Sequence, residues 1–162
     1  MAPQTPFLTQ IEEKMYELIG AMYFGPYHFT WGSVNEEDVA KNVFPSALIY
    51  LEDENNLDDK NGAWGGAYFN EVVYRIEVKA QLDREYSNPV FEINKELNKA
   101  LDDLKKLFGN NWSLDGATDT IMYIGSKRQQ EKLGDILVPS KLITRWLCRY
   151  EQSRTSPDEL SC

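Results

Sequence analysis

The sequence has a single histidine, His28, and only two cysteines, Cys148 and Cys162. One imidazole and two distant thiols do not supply the clustered nitrogen and sulfur ligands of a zinc site. Two cysteines also make no disulfide framework, which points to synthesis in a reducing compartment. Cys148 lies in an apolar, strand-like run and reads as a small core or interface residue. No apolar run approaches ~18 residues, so no membrane-spanning helix is expected. The opening residues, MAPQTPFLTQIEEK, show no basic segment followed by an apolar one, so no secretion signal is expected. No Gly-Lys-Ser/Thr follows the glycines of NGAWGGAYF, which excludes a phosphate-binding loop of that kind.

Acid, by contrast, is in excess, with a formal net charge of −9. The excess lies in Met1–Glu85, which has 15 acids and 6 bases, whereas Tyr86–Cys162 has 11 of each. The acidic half repels polyanions, and no dense basic patch exists to release counterions from phosphate. Tight nucleic-acid binding is therefore not expected, although DNA can pass close by without adhering.

At 162 residues the chain suits one core. A single α+β domain is expected over residues 1–152, with a polar C-terminal tail over 153–162. Thr5-Pro6 reads as a helix cap with proline at the first helical position. Leu8, Ile11, Met15, Leu18, Ile19 and Met22 follow at helical spacing. YFGPYHFTWG, Tyr23–Gly32, reads as a loop pinned by its aromatic rings, with His28 as a packed residue rather than a base. SVNEEDVAKNV reads as a short helix, and FPSALIYLE as a strand beginning after Pro45.

In NEVVYRIEVKAQLD, Val72, Tyr74, Ile76, Val78, Ala80 and Leu82 share one parity. Glu71, Arg75, Glu77, Lys79, Gln81 and Asp83 share the other, which makes a strand with one buried and one wet face. SNPVFEINKELNKALDDLKKLFG is a helix capped by Asn88, opened by Pro89 and closed by Gly109. Its apolar stripe is Val90, Ile93, Leu97, Leu101, Leu104 and Phe108. TDTIMYIGS reads as a strand and KRQQEKLGDILVPS as a polar loop. KLITRWLCRYEQ reads as a strand with apolar residues on both faces, the mark of burial on two sides. The expected order is α-β-β-α-β-β: a mainly antiparallel sheet of four or more strands packed against helices.

LEDENNLDDKNG, Leu51–Gly62, is the densest acidic stretch. A calcium loop needs oxygen ligands at its first, third, fifth and twelfth positions and glycine at its sixth. Registers starting at Asp53, Leu57 or Asp58 each fail one of these demands. The stretch reads as a solvated loop between strands. Trp64, on its glycine-rich end, either folds back on the sheet or anchors a partner. Lys127, Arg128 and Lys132 read as a wet, basic loop. Arg145, Arg149 and Arg154 read as a solvated strand face or as interface salt bridges. No catalytic, cofactor-binding or metal-binding residues are expected.

The amphipathic first helix, FPSALIYLEDE, the acidic loop and the long strand over Val72–Leu82 come in a definite order. The helix over Pro89–Phe108, GATDTIMYIGS and GDILVPSKLITRWLCRYEQ complete it. Taken together over Pro6–Gln152, they resemble the tail terminator, or tail completion, proteins of long-tailed bacteriophages. The resemblance implies a structural, non-enzymatic virion protein, made in the host bacterial cytoplasm and placed at the head–tail junction. It implies a homo-hexameric ring that caps the head-proximal end of the tail tube and stops its polymerisation. DNA passes through the lumen, and the expected partners are the tube protein, a neck or head-completion protein and the tape-measure protein, with no membrane. Such a closed ring uses heterologous contacts. Asp53, Glu54, Asp58, Asp59 and Trp64 are candidates for one side of the ring or tube interface, and Arg145 and Arg149 for the other. Lys127, Arg128 and Lys132 are candidates for a neck or tube contact loop. The alternatives are another phage neck or head-completion subunit, a small peptide-holding adaptor, and a hydrolase using the acidic loop with a divalent ion.

Overall fold

The computed structural model describes residues 5–22, 28–31, 46–57, 67–80, 82 and 87–153. The short helix expected over Ser33–Val43 lies outside them, as do Asp58, Asp59, Trp64 and Arg154. The described elements run α1 (Phe7–Met22), β1 (His28–Trp31), β2 (Ser46–Asn56), β3 (Ala67–Lys79), α2 (Pro89–Asn110), β4 (Thr120–Leu133) and β5 (Ile136–Ser153). This is an α+β fold. The strands form one five-stranded sheet in the order β1-β2-β3-β5-β4. The pairs β2–β3, β3–β5 and β5–β4 are antiparallel, and β1 joins β2 in parallel at one edge.

Both helices contribute to one buried cluster. Phe7, Ile11, Met15 and Ile19 of α1 meet Ile93, Leu97, Ala100, Leu104 and Phe108 of α2. The sheet supplies Ala47, Ile49, Val72, Tyr74, Ile76 and Val78, and β5 adds Leu142, Trp146, Cys148 and Tyr150. The period-two pattern of β3 thus selects the face that the helices cover. Tyr74 is buried and its hydroxyl donates to the Leu8 carbonyl, which ties α1 to the sheet centre.

Asn88 caps α2, its Oδ1 accepting from the Phe91 amide at 3.3 Å with Pro89 just inside the start. The helix runs through Gly109 and ends at Asn110; Asn111 caps it, amide and side chain both donating to the Leu107 carbonyl. Val90 is 38 % exposed and does not belong to the buried stripe. Leu114 and Asp115 in the following turn take left-handed conformations, φ 48° and 54°. That backbone strain is held by complete burial of Leu114 and by the ion pair of Asp115 with Lys14 of α1.

Four further expectations are corrected. His28–Trp31, read as an aromatic loop, is strand β1; four residues are too few to show a period, and the pairing partner, Ser46–Ile49, lies far along the chain. DENN, Asp53–Asn56, read as part of a solvated loop, continues β2 to Asn56, because the ladder to β3 supplies its backbone hydrogen bonds. The strand expected to reach Leu82 ends at Lys79. KRQQEKLGDILVPS, read as a polar loop, is the outer part of a β4–β5 hairpin. Leu133 pairs with Ile136 across Gly134-Asp135, and Gly134 has φ +67°. Glycine at the first central position is what a two-residue hairpin turn of the II′ type requires. The hairpin therefore projects beyond the last pairing of β3, Lys79 with Lys141.

Glu12 on α1 is partly buried, and desolvation raises its carboxyl pKa above the ordinary 4.5. A raised folded pKa means that the folded state holds its proton longer than the unfolded chain. Stability from this group is present below pH 4.5 and is lost as pH rises through the folded pKa. Glu12→Gln should therefore raise the melting temperature at pH 7 and leave it unchanged at pH 4. The gain should stay under about 1 kcal/mol because the group is half exposed and screened.

Candidate functional site

The sheet face turned away from α1 and α2 carries most of the residues singled out in the sequence. The antiparallel register sets its side chains in rows. One row holds Asp53, Val73, Leu147 and Met122 across β2, β3, β5 and β4. The next holds Tyr50, Arg75, Arg145 and Gly125, and the one after it Leu48, Glu77, Ile143 and Lys127. Glu71 and Arg149 face each other in the row beyond Val73. An apolar strip of Val73, Leu147 and Met122 is thus flanked by charged rows. Val73 is 8 % exposed and Met122 39 %, so the strip opens toward β4.

Register places like charges side by side here, Arg75 against Arg145 and Lys79 against Lys141. Directly opposed like charges destabilise a sheet unless each finds a counterion. Arg75 Nε lies 2.6 Å from Glu77 Oε2, and its guanidinium sits 4.9 Å over the Tyr50 ring. Lys141 Nζ lies 3.0 Å from the other Glu77 oxygen. Glu77, only 8 % exposed, is held by two cations. Arg145 Nε donates to Glu52 Oε2 at 3.0 Å, reaching across β3 to β2. The register shift between Leu51 and Asp53 puts one extra residue in β2 and turns Glu52 to this face. Arg149 Nε donates to Glu71 Oε2 at 3.4 Å. The Arg145–Glu52 and Arg149–Glu71 pairs are partly exposed and contribute about 0–1 kcal/mol each, so they define a charged frame more than they stabilise the fold.

The candidate residues divide accordingly. Arg145 and Arg149 come onto one face, but each is paired within the chain, to Glu52 and Glu71. Asp53 is turned on its own backbone: Oδ1 accepts from the Glu54 amide at 3.0 Å and Oδ2 from Asn55 Nδ2 at 3.2 Å. Glu54 is on the helix side, where its Oε1 accepts from the Tyr150 hydroxyl at 3.3 Å. Tyr150 is buried against the Phe7 ring, centroids 4.8 Å apart, and burial pushes its hydroxyl pKa up. The acids of one short stretch therefore point three ways and form no common centre. Lys127 and Lys132 are exposed on β4. Arg128 reaches α2, donating to Asn94 Oδ1 at 3.3 Å and to Asn98 Oδ1. Sequence reasoning did not single out Glu52, Glu71, Arg75 and Glu77 as partners, though the wet parity of β3 contained three of them.

Two surface depressions fall on or beside this face. One is lined by Glu52, Arg75, Lys127, Ile143 and Arg145. The other, at the far end of β3, is lined by Phe69, Glu71, Asp119, Arg149 and Tyr150. A third, between α2 and β4, lies against Lys105, Phe108, Trp112, Tyr123 and Trp146, and Trp112 there is 58 % exposed. Burial pushes the Cys148 thiol up to about 12, so it stays protonated and unreactive. Among the described residues no group of three or more His, Cys, Asp or Glu is placed to hold a metal ion, and no helix is long and apolar enough to cross a membrane. The arrangement is suited to meeting another surface: an apolar strip for burial, a charged frame for orientation. Compared with known proteins, the sequence matches no family model and no curated protein.

Proposed function

We propose that this protein is a structural assembly subunit, a tail terminator that forms a ring on the head-proximal end of a phage tail tube. The observation that carries the reading is the sheet face turned away from α1 and α2, where Val73, Leu147 and Met122 form an apolar strip framed by paired charges. A patch whose centre is apolar and whose rim is charged has the anatomy of a protein contact. β5, apolar on both faces, is the strand that such a contact would cover from its second side. The order of elements and the excess of acid agree with a ring through which DNA slides without adhering.

In this reading the subunit makes no covalent chemistry. It stops tube growth by occupying the end, and it offers its other surface to a neck or head-completion protein. Six copies, the tube subunit and the tape-measure protein as neighbours follow from the resemblance. Negative-stain images of the purified protein mixed with tube fragments test this. Six-fold rings seated on one end of each tube, with tubes no longer growing, are expected. Protein that leaves tube ends bare and tube growth unchanged would end this reading.

A further inference from the structure

The two outer regions of the sheet carry opposite exposed charge. On one side, β1 pairs only with Ser46–Ile49, so among the described residues no strand lies beside Tyr50–Asn55. That stretch contains Glu52, Asp53 and Glu54, all exposed, and no base. On the other side, β4 is the edge strand, and its outer half, SKRQQEKL, carries Lys127, Arg128 and Lys132 against Glu131 alone. Lys127, Glu131 and Lys132 are exposed, and Arg128 is held by α2. β4 also projects with the hairpin, whose Ile136 and Leu137 are 44 % and 55 % exposed.

We infer that the acidic Leu51–Asn55 stretch of one copy docks along the basic Lys127–Lys132 stretch of β4 in a second copy. Each copy owns both halves of the contact, so the association is head-to-tail and closes into a ring or continues as a filament. The register shift between Tyr123 and Gly125 puts an extra residue, Ile124, in β4, whereas the shift opposite Gln129 and Gln130 puts its extra residue, Ser140, in β5. The bulge at Ile124 ends a straight pairing edge just before Gly125, and side-chain charge sets the register along Lys127–Lys132. Arg145 and Arg149, which face Glu52 and Glu71 of their own chain, are not the cations of this contact. The inference rests on the ring reading and names the two surfaces that join.

Two double variants test it. Lys127→Glu with Lys132→Glu makes both surfaces acidic; Asp53→Lys with Glu54→Lys makes both basic. All four positions are exposed, and circular dichroism with thermal melts verifies that each variant folds. Self-association is read by sedimentation velocity up to about millimolar protein, at low and high salt. The wild type is expected to assemble, less so at high salt. Each variant alone is expected to associate at least about ten-fold more weakly, and their equimolar mixture to recover assembly as alternating copies. Wild-type assembly that both variants retain, or a loss that mixing does not repair, overturns this contact and leaves the ring reading to the tube-capping images. A wild type that stays monomeric throughout also overturns it, whereas bare tube ends in those images are what overturn the ring.

Discussion

Trp146→Ala is expected to lower the unfolding free energy by about 3–5 kcal/mol. Trp146 is 2 % exposed at the centre of β5. Its ring lies between Phe108 of α2 at 4.9 Å and Tyr123 of β4 at 5.3 Å, so three elements meet on it. Its Nε1 donates to Thr144 Oγ1 at 2.8 Å, and that hydroxyl donates to the Ile76 carbonyl at 2.9 Å. Truncation removes the contacts with both aromatic rings, opens a cavity among close-packed neighbours and strips an acceptor of its donor. Urea unfolding is the measurement: a large fall in midpoint with the slope unchanged is expected. Trp112→Ala is the control, because Trp112 is 58 % exposed and its loss should stay within about 0.5 kcal/mol. Equal effects from the two would contradict the packing described.

Ile11→Ala and Met15→Ala should each cost about 2–5 kcal/mol. Both side chains are fully buried on α1, one helical turn apart, in the cluster that also contains α2 and the sheet. The first helix is separated from β3 by more than forty residues, yet Tyr74 donates to the Leu8 carbonyl and the Ile49 amide donates to Tyr16 Oη. A helix held this way unfolds with the rest. Far-ultraviolet circular dichroism and tryptophan fluorescence should therefore report one coincident transition, shifted together in both variants. A separate early loss of helix signal would show α1 to be an independent unit instead.

The candidate site residues were legible in part. The wet parity of β3 announced that Glu71, Arg75, Glu77 and Lys79 share a face, because alternation is a property of the strand itself. Which charge meets which was not legible. Arg145 pairs with Glu52 across an intervening strand, a distance of 93 residues along the chain. Nothing local to either residue signals the other, and the extra residue in β2 that turns Glu52 toward Arg145 exists only once β2 is laid against β3. LGDI did carry a hairpin signal, glycine followed by aspartate between apolar residues, but the polar run before it resembled a loop. Edge strands are polar by necessity, so the outer half of β4, beyond TDTIMYIGS, was concealed by the composition that keeps such an edge soluble.

By itself the sequence determined the two helices, the buried side of β3, the acidic imbalance and the shortage of nitrogen and sulfur ligands. Each depends on periods, caps and counts that are complete within a few residues or within the chain as a whole. The tertiary structure alone decided that His28–Trp31 is a parallel edge strand, that DENN is strand rather than loop, and that Glu52, Asp53 and Glu54 diverge. A strand is stabilised by hydrogen bonds to a partner, and a side chain's neighbours across a sheet are set by register. Both are relations between distant segments, which no single segment contains.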